Sequence, residues 1–289
     1  MAAWSEGYWS SSDGLRLHFR DYAGDPSRPP IVCIPGLTRN ARDFEGVADR
    51  LGGEWRVICV DLRGRGESAY AKDPMTYVPL TYLQDMEALI RELGLTRFIL
   101  FGTSLGGLIT MLLAKGDSKR LAAAMINDIG PVIVERGLDR IRGYVGRSQS
   151  WPTWLHAARH FSEMLADVYP RWSLEQWLIF AKRICKLTPS GRVTLDYDMR
   201  IAEPFKVPGG ATGFDLWRAF EGLKGVPSLV VRGEISDLLD EEIVANMLAS
   251  NPAMETVTVP GVGHAPTLDE PEVVEAIERL LARVGEGHE

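Results

Sequence analysis

A glycine-flanked serine between an apolar strand and an apolar helix constrains this chain more than any other feature. Residues 98–101 are four consecutive large apolar side chains, which is typical of a strand covered on both faces. Residues 105–114 are almost all apolar, as in a buried helix. Between them lies Gly102-Thr103-Ser104-Leu105-Gly106. The pattern predicts a sharp strand-to-helix turn in which only residues without a Cβ fit on either side, and which exposes the Ser104 hydroxyl above the sheet.

Such a serine needs two partners before it can act as a nucleophile. A base must remove its proton, and a carboxylate must hold that base in the correct tautomer. Of the five histidines, only His264 lies on a loop that directly follows a predicted strand of the sheet. Histidine is also the side chain whose ordinary pKa suits a base near neutral pH. We assign the carboxylate to Asp237, which follows the preceding strand, with Asp128, at the end of the strand after Ser104, as the alternative.

Attack on a carbonyl also requires donors for the oxyanion that forms. The turn directs the backbone N–H of Leu105, and the positive end of its helix, toward the serine. The loop after the short apolar strand at 30–34 contains Gly36 and Leu37 and is expected to rise over the nucleophile. We therefore predict an oxyanion hole formed by the backbone N–H groups of Leu37 and Leu105.

The remaining chain indicates one large domain that carries an insertion. The 289 residues are 45% hydrophobic, enough for one large core. Strands alternate with helices except in residues 132–222, where the pattern is helical. This stretch also contains five of the eight tryptophans. We predict an α/β core domain over 1–131 and 223–289 and a helical lid over 132–222. The candidate pocket-lining residues of this lid are Trp151, Trp154, Trp177 and Trp217.

Charge and composition exclude several partner classes. The formal net charge is −7 and no basic stripe occurs, which argues against nucleic acid. The N-terminus lacks the features of a signal peptide, no apolar run reaches the length of a membrane span, and three cysteines do not make a disulfide framework. We expect a cytoplasmic protein that acts on a small molecule and needs neither a metal nor an organic cofactor. The oligomeric state stays open.

We predict a structural role, and not a catalytic one, for two groups of polar residues. His18 falls on the polar side of an alternating strand at 15–22, which predicts a solvated side chain. The glycine-punctuated loop at 61–68 contains Asp61 and Arg63, and we expect these charges to pair with neighbouring loops.

Together these features resemble the α/β-hydrolase fold superfamily, in its lidded esterase and C–C-hydrolase group. The resemblance spans nearly the whole chain. Its marks are Ile34-Pro35-Gly36-Leu37, Asp61-Leu62-Arg63-Gly64-Arg65-Gly66-Glu67-Ser68, Gly102-Thr103-Ser104-Leu105-Gly106-Gly107, Gly233-Glu234-Ile235-Ser236-Asp237 and Gly261-Val262-Gly263-His264.

The resemblance implies a mostly parallel eight-stranded sheet with helices on both faces and a helical lid after the sixth strand. The order Ser104, Asp237, His264 is also that of the superfamily. This chain departs from the pattern in one place, because Pro35-Gly36 stands where His-Gly is usual before the oxyanion loop.

Three functions are compatible with these residues. The leading hypothesis is a serine hydrolase, a carboxylic ester hydrolase that cleaves a small, largely apolar ester, thioester or lactone through an acyl-enzyme on Ser104. The second keeps the same residues for a C–C bond hydrolase, or a cofactor-free oxygenase, on an aromatic-derived substrate. The third, from another class, is a ligand-binding receptor with slow turnover.

Overall fold

The computed structural model describes residues 2–206 and 215–285, and its centre is an eight-stranded, mostly parallel sheet with the order β1-β2-β4-β3-β5-β6-β10-β11. Within the described residues of this sheet, the only antiparallel pairs are those that β2 forms with β1 and with β4. The strands are β1 (Trp4–Ser10), β2 (Arg16–Tyr22), β3 (Ile31–Ile34), β4 (Val57–Asp61), β5 (Phe98–Thr103), β6 (Leu121–Asn127), β7 (Ser150–Trp151), β8 (Cys185–Leu187), β9 (Val193–Leu195), β10 (Ser228–Gly233) and β11 (Met254–Val259). The predicted fold class is confirmed.

Nine α-helices and five short 3₁₀ helices accompany the strands in the described ranges. The α-helices are α1 (Glu45–Leu51), α2 (Pro79–Glu92), α3 (Leu105–Asp117), α4 (Glu135–Tyr144), α5 (Trp154–Met164), α6 (Leu174–Ile184), α7 (Leu216–Phe220), α8 (Glu241–Ser250) and α9 (Pro271–Gly285). The 3₁₀ helices are Ala41–Phe44, Pro74–Thr76, Ser118–Arg120, Met199–Lys206 and Glu221–Leu223.

Two apolar layers hold the helices against the sheet. Because side chains alternate along a strand, Leu100 of β5 packs into the layer that contains α2, α3 and α8, whereas Phe101 packs into the layer that contains α1 and α9. The central strands β3 to β6 are buried along their whole length except for the last residue of β5. Burial on both faces explains why these strands read as continuous apolar runs in the sequence.

Between β6 and β10, which are neighbours in the sheet, the chain forms a separate group of elements that we call the inserted segment. It contains α4 to α7 and a small antiparallel sheet with the order β7-β9-β8. The sequence pattern predicted helices alone, because strands of two or three residues are too short to show a period of two. Residues 207–214 of the predicted lid and 286–289 of the predicted core lie outside the described residues.

Arg42 is one of the residues that join the inserted segment to the core. Arg42, in the 3₁₀ helix that follows β3, donates from Nε to the carbonyl of Arg183 (3.0 Å) and from Nη2 to the carbonyl of Cys185 (3.2 Å). Its Nη2 also pairs with the buried carboxylate of Asp196 at 2.7 Å. The loop after β3 and the inserted segment are therefore fastened to each other.

The prediction of a solvated His18 was wrong. The side chain is buried, and its Nδ1 lies 2.7 Å from Oδ2 of Asp61. The loop after β4 covers this face of β2, which alternation along one strand cannot reveal. The expected structural pairing in that loop is found, since Asp61 also accepts from the backbone N–H of Ala41, and Arg63 pairs with Asp85 and Asp13.

No helix in the described ranges combines the length and the apolar character needed to cross a bilayer.

The glycines around the serine turn provide a test of the fold. A Cβ at Gly106 would lie 1.9 Å from the carbonyl oxygen of Ile34, which is backbone and cannot move aside. We expect Gly106→Ala to lower the free energy of unfolding by at least about 3 kcal/mol or to prevent folding. The matched control is Gly143→Ala near the end of α4, where a Cβ meets no atom within 4 Å. This control is expected to leave stability unchanged or to raise it by about 0.5–1 kcal/mol in urea titrations; equal loss in both variants would contradict the packing argument.

Candidate active site

The turn between β5 and α3 places the Ser104 hydroxyl at the carboxyl edge of the sheet. Ser104 adopts φ 53° and ψ −114°, a strained conformation for a residue with a side chain. Close backbone packing imposes this strain, because a Cβ at Gly102 would lie 2.3 Å from the carbonyl oxygen of Gly106. The Ser104 N–H donates to the carbonyl of Asn127, at the end of β6.

His264 reaches the serine from the loop after β11. Its Nε2 lies 2.9 Å from Oγ of Ser104, although the two residues are 160 positions apart in the chain. The inserted segment holds this loop from the other side: the Gly263 N–H donates to the carbonyl of Val168, and the Tyr169 hydroxyl donates to the carbonyl of Ala265. The structure thus brings together the predicted nucleophile and base.

The carboxylate beside His264 is Asp128, and not Asp237 as the sequence analysis assigned. Oδ2 of Asp128 lies 2.8 Å from Nδ1 of His264. The Asp128 side chain is fully buried and its remaining hydrogen bonds come from the Gly233 N–H and the Ser236 hydroxyl. These two donors fix the orientation of the carboxylate, so that Oδ2 faces the imidazole.

Asp237 instead forms a bidentate ion pair with Arg140 of α4, with Nε and Nη2 each donating to one carboxylate oxygen. Burial alone would raise the pKa of Asp237, but the ion pair outweighs it and holds the pKa below its usual value. The same pair raises the pKa of Arg140. Asp237 therefore links the core to the inserted segment and does not orient His264.

Sheet order explains why Asp128 takes the place beside the histidine. Strand β6 lies between β5 and β10, so its carboxyl end is directly next to the serine turn. Asp128 follows β6 immediately and has φ 56°, whereas Asp237 lies four residues beyond the end of β10. The sequence feature that could have identified Asp128 as the partner of His264 is its position at the end of a buried strand. Ser236, which donates to Asp128, was missed altogether.

The loop after β3 lies against the serine turn, as expected for an oxyanion loop. A Cβ at Gly36 would lie 3.6 Å from Cβ of Ser104. The carbonyl of Leu37 accepts from Nε of Arg65, whose side chain is completely buried. The backbone N–H groups of Leu37 and Leu105 form no hydrogen bond within the described part of the chain, so both are available as donors. Arg65, which sequence reasoning missed, thus braces the loop in which Pro35 replaces the usual histidine.

Two cavities meet at Ser104. The first, which we call the arginine cavity, contains His264 and four arginines in its wall; these are Arg39, Arg140, Arg147 and Arg183. The second, which we call the apolar cavity, has a volume of about 290 Å³ and lies on the side of α3. Its wall is mainly aliphatic and aromatic and includes Leu37, Leu105, Leu108, Ile129 and Leu138.

Comparison with known proteins identifies the family. The profile of the alpha/beta hydrolase family matches residues 31–277. The chain belongs to the alpha/beta hydrolase family. A 3-hydroxybutyrate-oligomer hydrolase from Cupriavidus necator is 39% identical to this hydrolase over 266 residues, which cover 89% of each protein.

Two further similarities cover nearly the same range. A 2-(acetamidomethylene)succinate hydrolase from Mesorhizobium japonicum is 29% identical over 86% of this chain and 85% of the relative. A crystal structure of an alpha/beta hydrolase from Novosphingobium aromaticivorans is 59% identical and superposes with a TM-score of 0.94, covering 98% of this chain and 99% of that one.

The four tryptophans predicted to line the pocket of this hydrolase lie elsewhere. None of them is in the wall of either cavity that reaches Ser104. Trp151 and Trp177 are buried within the inserted segment and Trp154 packs against the same cluster, whereas Trp217 packs against the main core. The aromatic wall of the arginine cavity comes from Phe44, Tyr144, Phe161, Tyr169, Phe180 and Tyr197. The prediction was wrong because a helical pattern does not distinguish the lid's own core from its inner surface.

Substitution of the two carboxylates tests their roles separately. In Asp128→Asn we expect kcat for an ester to fall by about 10⁴-fold, because the amide cannot fix the imidazole tautomer or stabilise the imidazolium. In Asp237→Asn we expect a loss of no more than about tenfold, since the change removes an ion pair outside the Ser104–His264 contact. Steady-state kinetics on p-nitrophenyl butyrate measure both, and an equal loss in the two variants would refute the assignment.

The lowered pKa of Asp237 predicts how its ion pair contributes to stability. A carboxyl whose pKa falls on folding stabilises the folded state above its unfolded-state pKa of about 3.9, and loses that contribution as the pH falls through the folded-state value. We expect Asp237→Asn to be less stable than wild type at pH 6, with a deficit that shrinks below about pH 4. Urea midpoints between pH 3 and 7 measure this difference. The control is Asp139→Asn, whose carboxylate is exposed on α4, and a pH-independent Asp237→Asn deficit would contradict the assignment.

Proposed function

We propose that this alpha/beta hydrolase is a carboxylic ester hydrolase that forms an acyl-enzyme on Ser104. The observation that carries the proposal is the hydrogen-bonded chain from Ser104 through His264 to Asp128 at the point where two cavities meet. Its substrate is a small ester with a largely apolar acyl group, and a thioester or lactone undergoes the same acyl transfer. The similarity to the 3-hydroxybutyrate-oligomer hydrolase supports an ester as the substrate.

In this mechanism the Ser104 Oγ attacks the ester carbonyl while His264 Nε2 takes its proton. The N–H groups of Leu37 and Leu105 stabilise the tetrahedral oxyanion, each worth about 2.7–4 kcal/mol of barrier lowering. His264 then protonates the leaving alcohol, with Asp128 stabilising the imidazolium. Water activated by His264 hydrolyses the acyl-enzyme and restores the serine. The inserted segment, which contains the described part of the lid predicted over 132–222, acts as the lid that shapes both cavities.

A fluorophosphonate reagent tests the nucleophile directly. We expect covalent labelling of the wild type, detected by intact-mass spectrometry as one added phosphonyl group. Ser104→Ala is expected to remain unlabelled because it lacks the attacking oxygen, and Ser228→Ala, which removes a buried serine hydroxyl remote from the cavities, should be labelled like the wild type. Labelling that persists in Ser104→Ala, or an unreactive wild type that folds normally, would refute the proposal.

The similarity to the 2-(acetamidomethylene)succinate hydrolase favours a second candidate, in which the same three residues act on a substrate other than a simple ester. C–C bond hydrolysis of an aromatic-derived diketone belongs to this candidate. A parallel assay of p-nitrophenyl esters and ring-fission diketones separates the two: higher kcat/KM on the diketones would favour the second. Oxygen consumption by Ser104→Ala would instead indicate the cofactor-free oxygenase.

A further inference from the structure

The two cavities that meet at Ser104 differ sharply in charge. The arginine cavity has four guanidinium groups in its wall and one carboxylate, that of Asp43. Among the described residues, the wall of the apolar cavity contains no basic side chain and one carboxylate, that of Glu135. A substrate carboxylate is therefore favoured in the first cavity and disfavoured in the second, where its desolvation would go uncompensated.

The positive charge of the arginine cavity is only partly neutralised. Arg140 is fully paired with Asp237, and Arg39 donates from Nε to Asp43. Arg183 donates from Nη2 to Asp269 at 3.0 Å, but its buried Nε has no hydrogen-bond partner. Within the described ranges, the side chain of Arg147 forms no hydrogen bond or ion pair. Arg147 and Arg183 thus retain donors that an anion can use.

The position of His264 shows which half of an ester faces these arginines. His264, Ala265 and Pro266 all line the arginine cavity, and none of them lines the apolar cavity. The histidine must deliver its proton to the departing alcohol oxygen, so the leaving group lies on the histidine's side of the serine. The acyl group then extends into the apolar cavity, between Leu105 and Leu138.

We infer that the substrate is an ester whose leaving alcohol carries a carboxylate, that is, the ester of a short hydroxy acid. This inference rests on the proposed ester hydrolysis and adds the position of the charge. Arg147 and Arg183 bind the carboxylate of the hydroxy acid, and the apolar cavity binds the uncharged acyl chain. For a linear oligomer of hydroxy acids, this arrangement directs cleavage to the ester bond next to the free carboxyl end.

The bond changes balance without a further reactant besides water. Ser104 Oγ forms a bond to the acyl carbon, and the bond from that carbon to the alcohol oxygen breaks. The proton of Ser104 passes through His264 Nε2 to that oxygen, which releases the hydroxy acid with its carboxylate unchanged. Water then cleaves the acyl-enzyme to give the second acid.

Three matched esters test the position of the charge. The first is 3-(butanoyloxy)butanoate, with the carboxylate on the alcohol side, and the second is its neutral analogue 3-(butanoyloxy)butanamide. The third is monomethyl glutarate, with the carboxylate on the acyl side. We expect the wild type to prefer the first ester over each of the others by at least about tenfold in kcat/KM, mainly through KM, because the anion is bound before reaction.

The preference is expected to depend on the two arginines. In Arg147→Gln/Arg183→Gln the ratio of kcat/KM for the first ester over its amide should fall to within about twofold of one. Arg147→Gln alone should lower this ratio of kcat/KM values by a smaller amount. Because Arg147 is exposed, this single variant replaces the double variant in the test if the double variant does not fold. The control is Arg159→Gln, an exposed arginine of α5 that lies in the wall of neither cavity and should keep the wild-type ratio.

Three outcomes would overturn the inference: a wild-type ratio near one, a preference for monomethyl glutarate, or an undiminished ratio in the arginine variants. These outcomes are distinct from failure of the proposed function. If ester hydrolysis itself is wrong, the wild type will not hydrolyse p-nitrophenyl butyrate, whether or not Ser104 reacts with fluorophosphonate. If only the charge assignment is wrong, p-nitrophenyl butyrate will be hydrolysed and Ser104 will be labelled.

Discussion

The close contact between the backbone of α3 and the end of β3 determines the geometry of the whole site. Gly106 lies so near the carbonyl of Ile34 that no larger residue fits. That carbonyl belongs to the last residue of β3, and the oxyanion loop begins immediately after it. One steric constraint therefore sets the strained turn at Ser104 and places the loop that carries Leu37 beside it. The strain at Ser104 persists because the backbone is packed on both sides of the turn.

Buried charges extend this constraint outward from the turn. Arg65 donates a hydrogen bond to the carbonyl of Leu37, and Asp61 accepts one from the N–H of Ala41 at the far end of the same loop. These bonds replace the side-chain contacts that a histidine before the glycine would supply. Removing either charged group would leave its partner buried without a counterpart, which is costly in a low-dielectric interior. The charged loop after β4 is thus a scaffold for the oxyanion loop.

Sequence alone predicts those parts of the site whose position follows from the pattern of neighbouring residues. The strand, glycine and helix pattern around Ser104 specifies its turn, and the breaker-rich loop after a strand identifies His264. Asp128 and Asp237 both follow strands that end at the same sheet edge. The choice between them depends on the strand order, which places the end of β6 next to the serine turn and which no local pattern reveals. Burial of His18 likewise depends on a loop from another strand. Fold class follows from periodicity, whereas these pairings follow from tertiary contacts.

The three hydrogen bonds of Arg42 couple two features that a substrate meets in turn. One guanidinium fastens the inserted segment, which walls the cavities, to the 3₁₀ helix just beyond the oxyanion loop. A bulky ligand that pushes the segment outward therefore also pulls on the backbone that leads to Leu37. In the proposed mechanism, displacement of the segment would therefore change both the fit of the ligand in the cavity and the position of the Leu37 N–H, so that ligand size would act on the rate of chemistry as well as on binding.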